Sequence, residues 1–133
     1  MRSLERTLKT LLAASTLSLL ALVPSAHATV LQTGILYNAG TGAAIFCFVS
    51  NLGTKPVTAV EQRSVTLDGT ATVIPNGPFG CSLAPLQPGK TCEFETAETA
   101  VRMELEIKGS AKKLRGLCSI VSEGVPHESV ELR

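Results

Sequence analysis

Few residues of this 133-residue chain have the types that hydrolytic chemistry requires. A hydrolase needs a nucleophile, a base and a group that orients the base. Beyond the first 28 residues the only histidine is His127, close to the C-terminus, and the only aspartate is Asp68, in an Asp-Gly turn. No G-x-S-x-G, phosphate-binding loop or H-E-x-x-H motif occurs. We therefore predict no catalytic residues, no cofactor and a protein that is not an enzyme.

Two pairs of glutamates are spaced so that they could act together: Glu93 with Glu95, and Glu104 with Glu106. Residues i and i+2 of a strand share a face, so each pair could serve as a glycosidase pair or bind calcium. A strand with one face in solvent shows the same alternation. We interpret both pairs as solvent-facing residues of strands.

The four cysteines, Cys47, Cys81, Cys92 and Cys118, are the remaining reactive groups. No C-x-x-C is present, and a single histidine accompanies them, which disfavours a redox motif and a zinc site. An even count in an exported chain favours disulfides, and four cysteines allow three pairings. We predict Cys81–Cys92, closing a short Pro/Gly-rich loop, and Cys47–Cys118, tying an early core strand to a late one as sandwiches pin their sheets.

The N-terminus has the pattern of a secretory signal peptide. Three basic residues precede the apolar run Leu11–Val23, which is too short to span a bilayer as an ordinary helix, and Ala26–Ala28 is a small-x-small cleavage site. We predict a signal peptide over residues 1–28, a single domain over 29–133, and a periplasmic or extracellular location without a membrane anchor. The absence of N-x-S/T sequons after residue 28 fits a bacterial source.

The charge balance bears on the class of partner. Three of the 12 basic and one of the 11 acidic residues lie within residues 1–28, which leaves 9 and 10. Nucleic acid or an anionic membrane would call for a clustered basic surface. The most basic stretch, Lys112-Lys113 with Arg115, is interpreted as a solvated turn. The sequence therefore predicts neither partner.

Short segments of period 2 between turn signals predict an all-β protein, an immunoglobulin-like two-sheet sandwich of about seven short strands. The segments are Val30–Tyr37, Ala43–Ser50, Lys55–Leu67, Thr70–Ile74, Thr91–Thr96, Ala100–Lys108, Lys113–Ser122 and Glu128–Arg133. Gly34 suggests a bulge in the first of them. Glu98-Thr99 suggests a tight hairpin, across which Arg102 or Lys108 could pair with Glu93 or Glu95.

Two segments resemble a known family. Cys81, Leu86, Pro88, Gly89, Cys92 and Phe94 match the "C…L-x-P-G-x-x-C-x-F" segment of Hydin-type immunoglobulin-like domains, which belong to the major-sperm-protein-like and pilus-chaperone-like sandwiches. Asn51, Gly53, Pro56 and Val57 are similar to their "N-x-G-x-x-P-V" strand-turn-strand. Small exported bacterial proteins of unassigned function carry similar segments. The resemblance implies an immunoglobulin-like fold and no particular activity.

An enzyme is the least favoured of three functions that the sequence leaves open, and the other two are binding functions. The first is an exported non-catalytic module that binds or supports another macromolecule, most simply a protein, through end loops or an open sheet edge. The second is a secreted inhibitor or effector that presents the disulfide-bounded loop 81–92 to a partner, with Leu83, Leu86 and Gln87 as the contact residues. A braced loop binds well because it has little conformational entropy left to lose.

Overall fold

The structure is a computed structural model of the chain, and it describes residues 27–38 and 42–133. These residues form eight strands and no helix: β1 (Ala28–Tyr37), β2 (Ala44–Asn51), β3 (Ala59–Thr66), β4 (Ala71–Val73), β5 (Thr91–Thr96), β6 (Ala100–Lys108), β7 (Leu114–Ser122) and β8 (Val125–Leu132). The predicted signal peptide lies outside the described residues, except for its last two positions.

The strands form two antiparallel sheets of four, in the orders β1-β6-β3-β4 and β5-β2-β7-β8. In β6 the residues Val101, Met103, Leu105 and Ile107 are buried, because alternate side chains of a strand point to one face. The two inner faces enclose one aliphatic core, which confirms the predicted two-sheet sandwich. The bulge predicted at Gly34 is present as a register shift between Gln32 and Ile35.

The strand order shares the centre of an immunoglobulin sandwich. Strands β2 and β5 pair in one sheet and β3 and β6 in the other, as strands B with E and C with F do in that fold. The first strand, β1, lies beside β6, and β7 lies beside β2, so these two strands occupy the sheets opposite to those of an immunoglobulin domain. Gln32 and Arg133 exchange backbone hydrogen bonds of 2.6 and 3.0 Å, which join the two sheets at one corner.

The hairpin predicted at Glu98-Thr99 is wrong. Strand β5 pairs with β2, and β6 pairs with β1 and β3, so the chain crosses between the sheets at this point. Arg102 consequently has no partner on β5 and binds Glu104 of its own strand at 2.7 Å. A short, polar connection is compatible with either geometry. The crossing places the apolar side chains of β5 and β6 in the same core from opposite sheets.

Both predicted disulfides are present. The Cys81–Cys92 bond joins two cysteines that are 11 residues apart in the sequence, and it closes the loop that leads into β5. Cys47 and Cys118 are directly opposite one another on the paired strands β2 and β7. This second bond therefore lies within one sheet and does not pin the two sheets together as predicted, because β7 lies beside β2 rather than across the core from it.

Candidate binding surface at one end of the sandwich

Because neighbouring strands are antiparallel, the connections between them alternate between the two ends of the sandwich. The connections β2–β3, β4–β5 and β6–β7 lie at one end, and the connections β1–β2, β3–β4, β5–β6 and β7–β8 lie at the other. Charge is divided between these ends. We call the first the basic end, with six exposed cations: Lys55, Lys90, Lys108, Lys112, Lys113 and Arg115. We call the second the acidic end, with four carboxylates: Asp68, Glu98, Glu123 and Glu128.

No acidic side chain lies on the cation-bearing segments of the basic end. Residues 50–57, 86–91 and 108–116 contain neither aspartate nor glutamate. None of the ion pairs among the described residues includes one of the six cations. The other three arginines of residues 27–133 each have a carboxylate partner, at 2.7 Å for Arg63 and Arg102 and 2.8 Å for Arg133. The unpaired positive charge of these residues is therefore gathered at one end.

Asn51, at the end of β2, holds the loops of the basic end together. Its side chain is fully buried, with a relative exposure of 0%. The amide Nδ2 donates to the carbonyl oxygens of Lys55, at 2.8 Å, and Leu86, at 2.9 Å, and Oδ1 accepts from the backbone N–H of Gly53 at 2.9 Å. One side chain thus connects the β2–β3 and β4–β5 connections, because a primary amide can donate and accept at once.

Backbone hydrogen bonds extend this framework to the other cation-bearing segments. The N–H of Asn51 donates to the carbonyl of Lys90 at 3.0 Å, and the N–H of Leu52 donates to the carbonyl of Lys113 at 2.8 Å. The guanidinium of Arg115 donates to the carbonyl of Leu114 at 2.8 Å. The lysine side chains are exposed, while the backbone that carries them is fixed. The basic end is therefore a built surface rather than a set of loose loops.

Apolar side chains lie next to these cations. Leu52, in the β2–β3 connection, is 63% exposed. On the outer face of the second sheet, Phe48 and Leu117 are 43% and 45% exposed and line an open groove of about 780 Å³. Lys112 and Arg115 line the same groove. The one acidic residue among the groove's lining belongs to β8 and is paired with the last arginine of the chain. The basic end and this groove consequently combine positive charge with apolar contact area.

The loop predicted to contact a partner does not form a single exposed face. Leu83 is 56% exposed, and Phe79, whose backbone carbonyl accepts a hydrogen bond from the N–H of Glu93 in β5, is 67% exposed. Leu86 is half-buried against the core and forms a backbone bridge with Val57, so it anchors the loop. Gln87 is exposed at the basic end. Two of the three predicted contact residues, Leu83 and Gln87, are therefore exposed, and Leu86 is partly buried.

The residues considered for catalysis are also separated. His127 Nε2 and Ser122 Oγ are hydrogen-bonded at the β7–β8 turn, an arrangement of base and hydroxyl. Among the described residues no side chain is hydrogen-bonded to the second ring nitrogen of this histidine, and a triad requires that orienting group. Asp68 accepts hydrogen bonds from the Thr66 hydroxyl and the Thr70 backbone N–H, which lower its pKa. Its contacts are those of a turn residue.

The two glutamate pairs lie on opposite outer faces, because β5 and β6 belong to different sheets. Glu104 is buried at 5% exposure and receives hydrogen bonds from Arg63 at 2.7 Å and Arg102 at 2.8 Å. Burial by itself raises the pKa of Glu104, but the hydrogen bonds and charges of the two arginines outweigh it, and the pKa is lowered. Glu106 contacts Arg63 at 3.4 Å. These carboxylates belong to an ion-pair network of the first sheet, and the interpretation of Glu104 as a solvent-facing residue is wrong.

Two further observations concern residues 27–38 and 42–133 only. They contain no group of three His, Cys, Asp or Glu side chains that could hold a metal ion. They include no helix that is both long and apolar enough to cross a membrane.

The architecture places this chain in a broad class, the disulfide-linked all-β sandwiches. Its exposed positive and negative loop residues lie at opposite ends of the sandwich. Comparison with protein-family models, curated proteins and solved structures found no match.

Two features of this surface were missed by sequence reasoning. In the sequence, Asn51 was identified only as a position of a strand-turn-strand motif. In the structure it is a buried centre of three hydrogen bonds, which requires an amide that can both donate and accept. The cations were counted as three in one stretch, whereas the fold adds Lys55, Lys90 and Lys108 to them. The sequence did contain a signal for this surface. If the connections between successive predicted strands are assigned alternately to the two ends of the sandwich, the basic connections fall at one end and the acidic connections at the other.

Proposed function

We propose that this protein is a small exported binding module without catalytic activity, and that its basic end is the binding surface for an anionic macromolecule. The observation that carries the proposal is the set of six exposed cations, outside every ion pair of the described residues, on segments that are joined by hydrogen bonds of Asn51, Leu52 and Lys108. Exported location rests on the predicted signal peptide, and the two disulfides are compatible with it.

Stability does not account for this arrangement. Like charges that are gathered on one surface repel one another and disfavour the compact state. Of the ten acidic side chains of residues 27–133, four lie at the opposite end of the sandwich and four are in other ion pairs. The remaining two, Glu93 and Glu95, lie on β5 outside the segments that carry the cations. A rigid concentration of one sign of charge does favour encounter with a ligand of the other sign. Binding is therefore the simplest use of the basic end.

Retention on an immobilised sulfated polysaccharide tests this function. A protein with a net charge near zero is retained only through a cluster of positive charge, so we expect elution at a salt concentration well above physiological ionic strength. Lys112→Gln with Lys113→Gln should elute much earlier. Ala97→Glu with Thr99→Glu changes the net charge by the same amount at the acidic end and should elute like the unaltered protein. Equal elution of all three proteins would contradict the proposal.

A second function, that of an inhibitor or effector that presents the disulfide-bounded loop, is favoured by one observation. Phe79 and Leu83, which flank Cys81, are 67% and 56% exposed, and exposed apolar side chains on a braced loop suit a protein partner. Replacing both by serine should abolish capture of a protein partner in the export compartment while retention on the polysaccharide stays unchanged. Capture that survives this change rejects the second function.

A further inference from the structure

We propose that the surface recognised by the basic end is an anionic phospholipid membrane, on which the domain docks with its three cation-bearing connections facing the headgroups. This inference rests on the proposed function and names its ligand. The sequence predicted no membrane partner because its net charge is near zero. A net charge does not show how charges are distributed, and the fold places six cations at one end. Three features favour a lipid surface over an acidic protein or a soluble polyanion. They are the position of the domain's N-terminus at the basic end, the predominance of lysine among the cations, and an exposed leucine in one of the cation-bearing connections.

The chain enters the fold at the basic end. Thr29, the first residue after the predicted signal peptide, pairs with Ile107, and its hydroxyl donates a hydrogen bond to the carbonyl of Gly109 at 2.5 Å. In the sequence, only three residues separate the apolar run Leu11–Val23 from His27. A domain that follows such a run emerges next to the membrane during export. The end of the sandwich that emerges there is the one that carries the cations.

The cations are of the type that suits a diffuse layer of charge. Five of the six are lysines and one is Arg115. Lysine is a compact, hydrated point charge on a flexible stem, whereas arginine is the residue that recognises a single carboxylate or phosphate with two parallel hydrogen bonds. The exposed lysine stems can also lie along apolar surface while their ammonium groups stay in water. A headgroup layer offers many equivalent anionic groups and does not require bidentate recognition.

An exposed apolar side chain lies among the cations of the basic end. Leu52 is 63% exposed in the connection that also carries Lys55, and its backbone N–H is bonded to the carbonyl of Lys113. An exposed leucine among cations matches the layering of a membrane, in which the acyl region lies beneath the anionic headgroups. A soluble polyanion has no counterpart for this side chain.

The expected affinity follows from the number of charges. Each lysine or arginine near an anionic bilayer strengthens binding by roughly fivefold at moderate ionic strength. Removing two of the six should therefore weaken binding by about 25-fold, and removing the apolar contact of Leu52 by about tenfold. Because the attraction is electrostatic, binding should weaken further as salt is added.

The test is sedimentation of the protein, recovered from its export compartment with disulfides intact, with vesicles of equal parts phosphatidylglycerol and phosphatidylcholine. Mass spectrometry defines its N-terminus, since a retained apolar segment would itself bind lipid. We expect binding to these vesicles and none to phosphatidylcholine alone. Lys112→Gln with Lys113→Gln should weaken binding by about 25-fold and Leu52→Gln by about tenfold, while Ala97→Glu with Thr99→Glu changes it little.

Each contrary outcome has a separate meaning. Equal binding to both kinds of vesicle, or equal weakening by the acidic-end variant, overturns the inference, because the basic end would then not be the contact. Retention on the sulfated polysaccharide without vesicle binding overturns the lipid surface and leaves the proposed function standing. Failure in both assays overturns both. Weakening by the double lysine variant in both assays, together with an effect of Leu52→Gln on vesicles alone, supports the membrane as the ligand.

Discussion

Replacing Asn51 with alanine should destabilise the domain far more than a loop-end residue ordinarily does. The side chain is fully buried, and it makes three hydrogen bonds, to the backbone of Gly53, Lys55 and Leu86. Alanine removes all three and leaves two carbonyl oxygens and one N–H without these partners. An intramolecular hydrogen bond contributes about 1 kcal/mol net, so the expected loss is about 3 kcal/mol.

The matched control is Asn38, a second buried asparagine, with a relative exposure of 2%. In the described part of the chain its side chain makes one hydrogen bond, from Nδ2 to the carbonyl of Ala43 at 2.7 Å. Asn38→Ala should therefore cost about 1 kcal/mol. For a domain of this size, 1 kcal/mol corresponds to about 4–8 °C in Tm, so Asn51→Ala should lower Tm by roughly 15 °C.

Thermal and urea unfolding of the unaltered protein and of both variants measure this difference. Amide hydrogen exchange adds a local readout, since the N–H of Gly53 loses its acceptor and should exchange faster in Asn51→Ala even under stable conditions. Asn51→Ala should also reduce retention on the polysaccharide, because the connections that carry the cations are no longer held together. If Asn51→Ala costs no more than Asn38→Ala, the hub does not organise the basic end, and the reasoning is wrong.

Three further predictions concern the sheets. The pKa of Glu104 is lowered in the folded state, so its contribution is present above its ordinary value of 4.5 and is lost as the pH falls through the folded-state pKa. Glu104→Gln should therefore cost about 2 kcal/mol in urea unfolding at neutral pH and progressively less in acid, and a pH-independent cost would contradict this. Replacing both cysteines of the β2–β7 disulfide, whose sequence separation is 71, with alanine should lower the free energy of unfolding by about 4 kcal/mol. Reducing agent should lower the stability of the unaltered protein by more than this, because it also breaks Cys81–Cys92. A Cβ on Gly116 would lie 2.7 Å from Cβ of Leu132, so Gly116→Ala should cost about 1–3 kcal/mol. The double variant with Leu132→Gly, which removes the Cβ that the new methyl group would meet, should cost less than the sum of the two single changes, and simple additivity would count against this contact.

Much of the secondary structure was predictable from local pattern. The alternation from Ala100 to Lys108 predicted the bounds of β6, and the segment Thr91–Thr96 predicted those of β5. Such signals are local, since each residue's burial depends on the face to which its own backbone directs it. The partners of these strands were not predictable in the same way, because the connection at Glu98 is equally compatible with a hairpin and with a crossing between sheets.

The candidate surface was hidden for a different reason. Lys55, Lys90 and Lys113 are far apart in the sequence, and the net charge averages them with carboxylates that lie on the strands or at the opposite end of the fold. The role of Asn51 was equally unpredictable from the sequence. An asparagine is common before a turn, whether its side chain is exposed or is the centre of a hydrogen-bond network. Both become visible once each connection is assigned to an end of the sandwich.

The sequence alone predicted eight strand-forming segments, two disulfide pairings and export. The hydrophobic period and the turn residues are local signals for strands, and four cysteines allow only three pairings. Three other properties exist only in the folded molecule. Strands β5 and β6 lie in different sheets, Cys47 and Cys118 join neighbouring strands, and six cations meet at one end. These properties depend on sheet pairing, and pairing depends on which side chains fill the common core. Pairing in turn fixes the end at which each connection, with its charges, emerges.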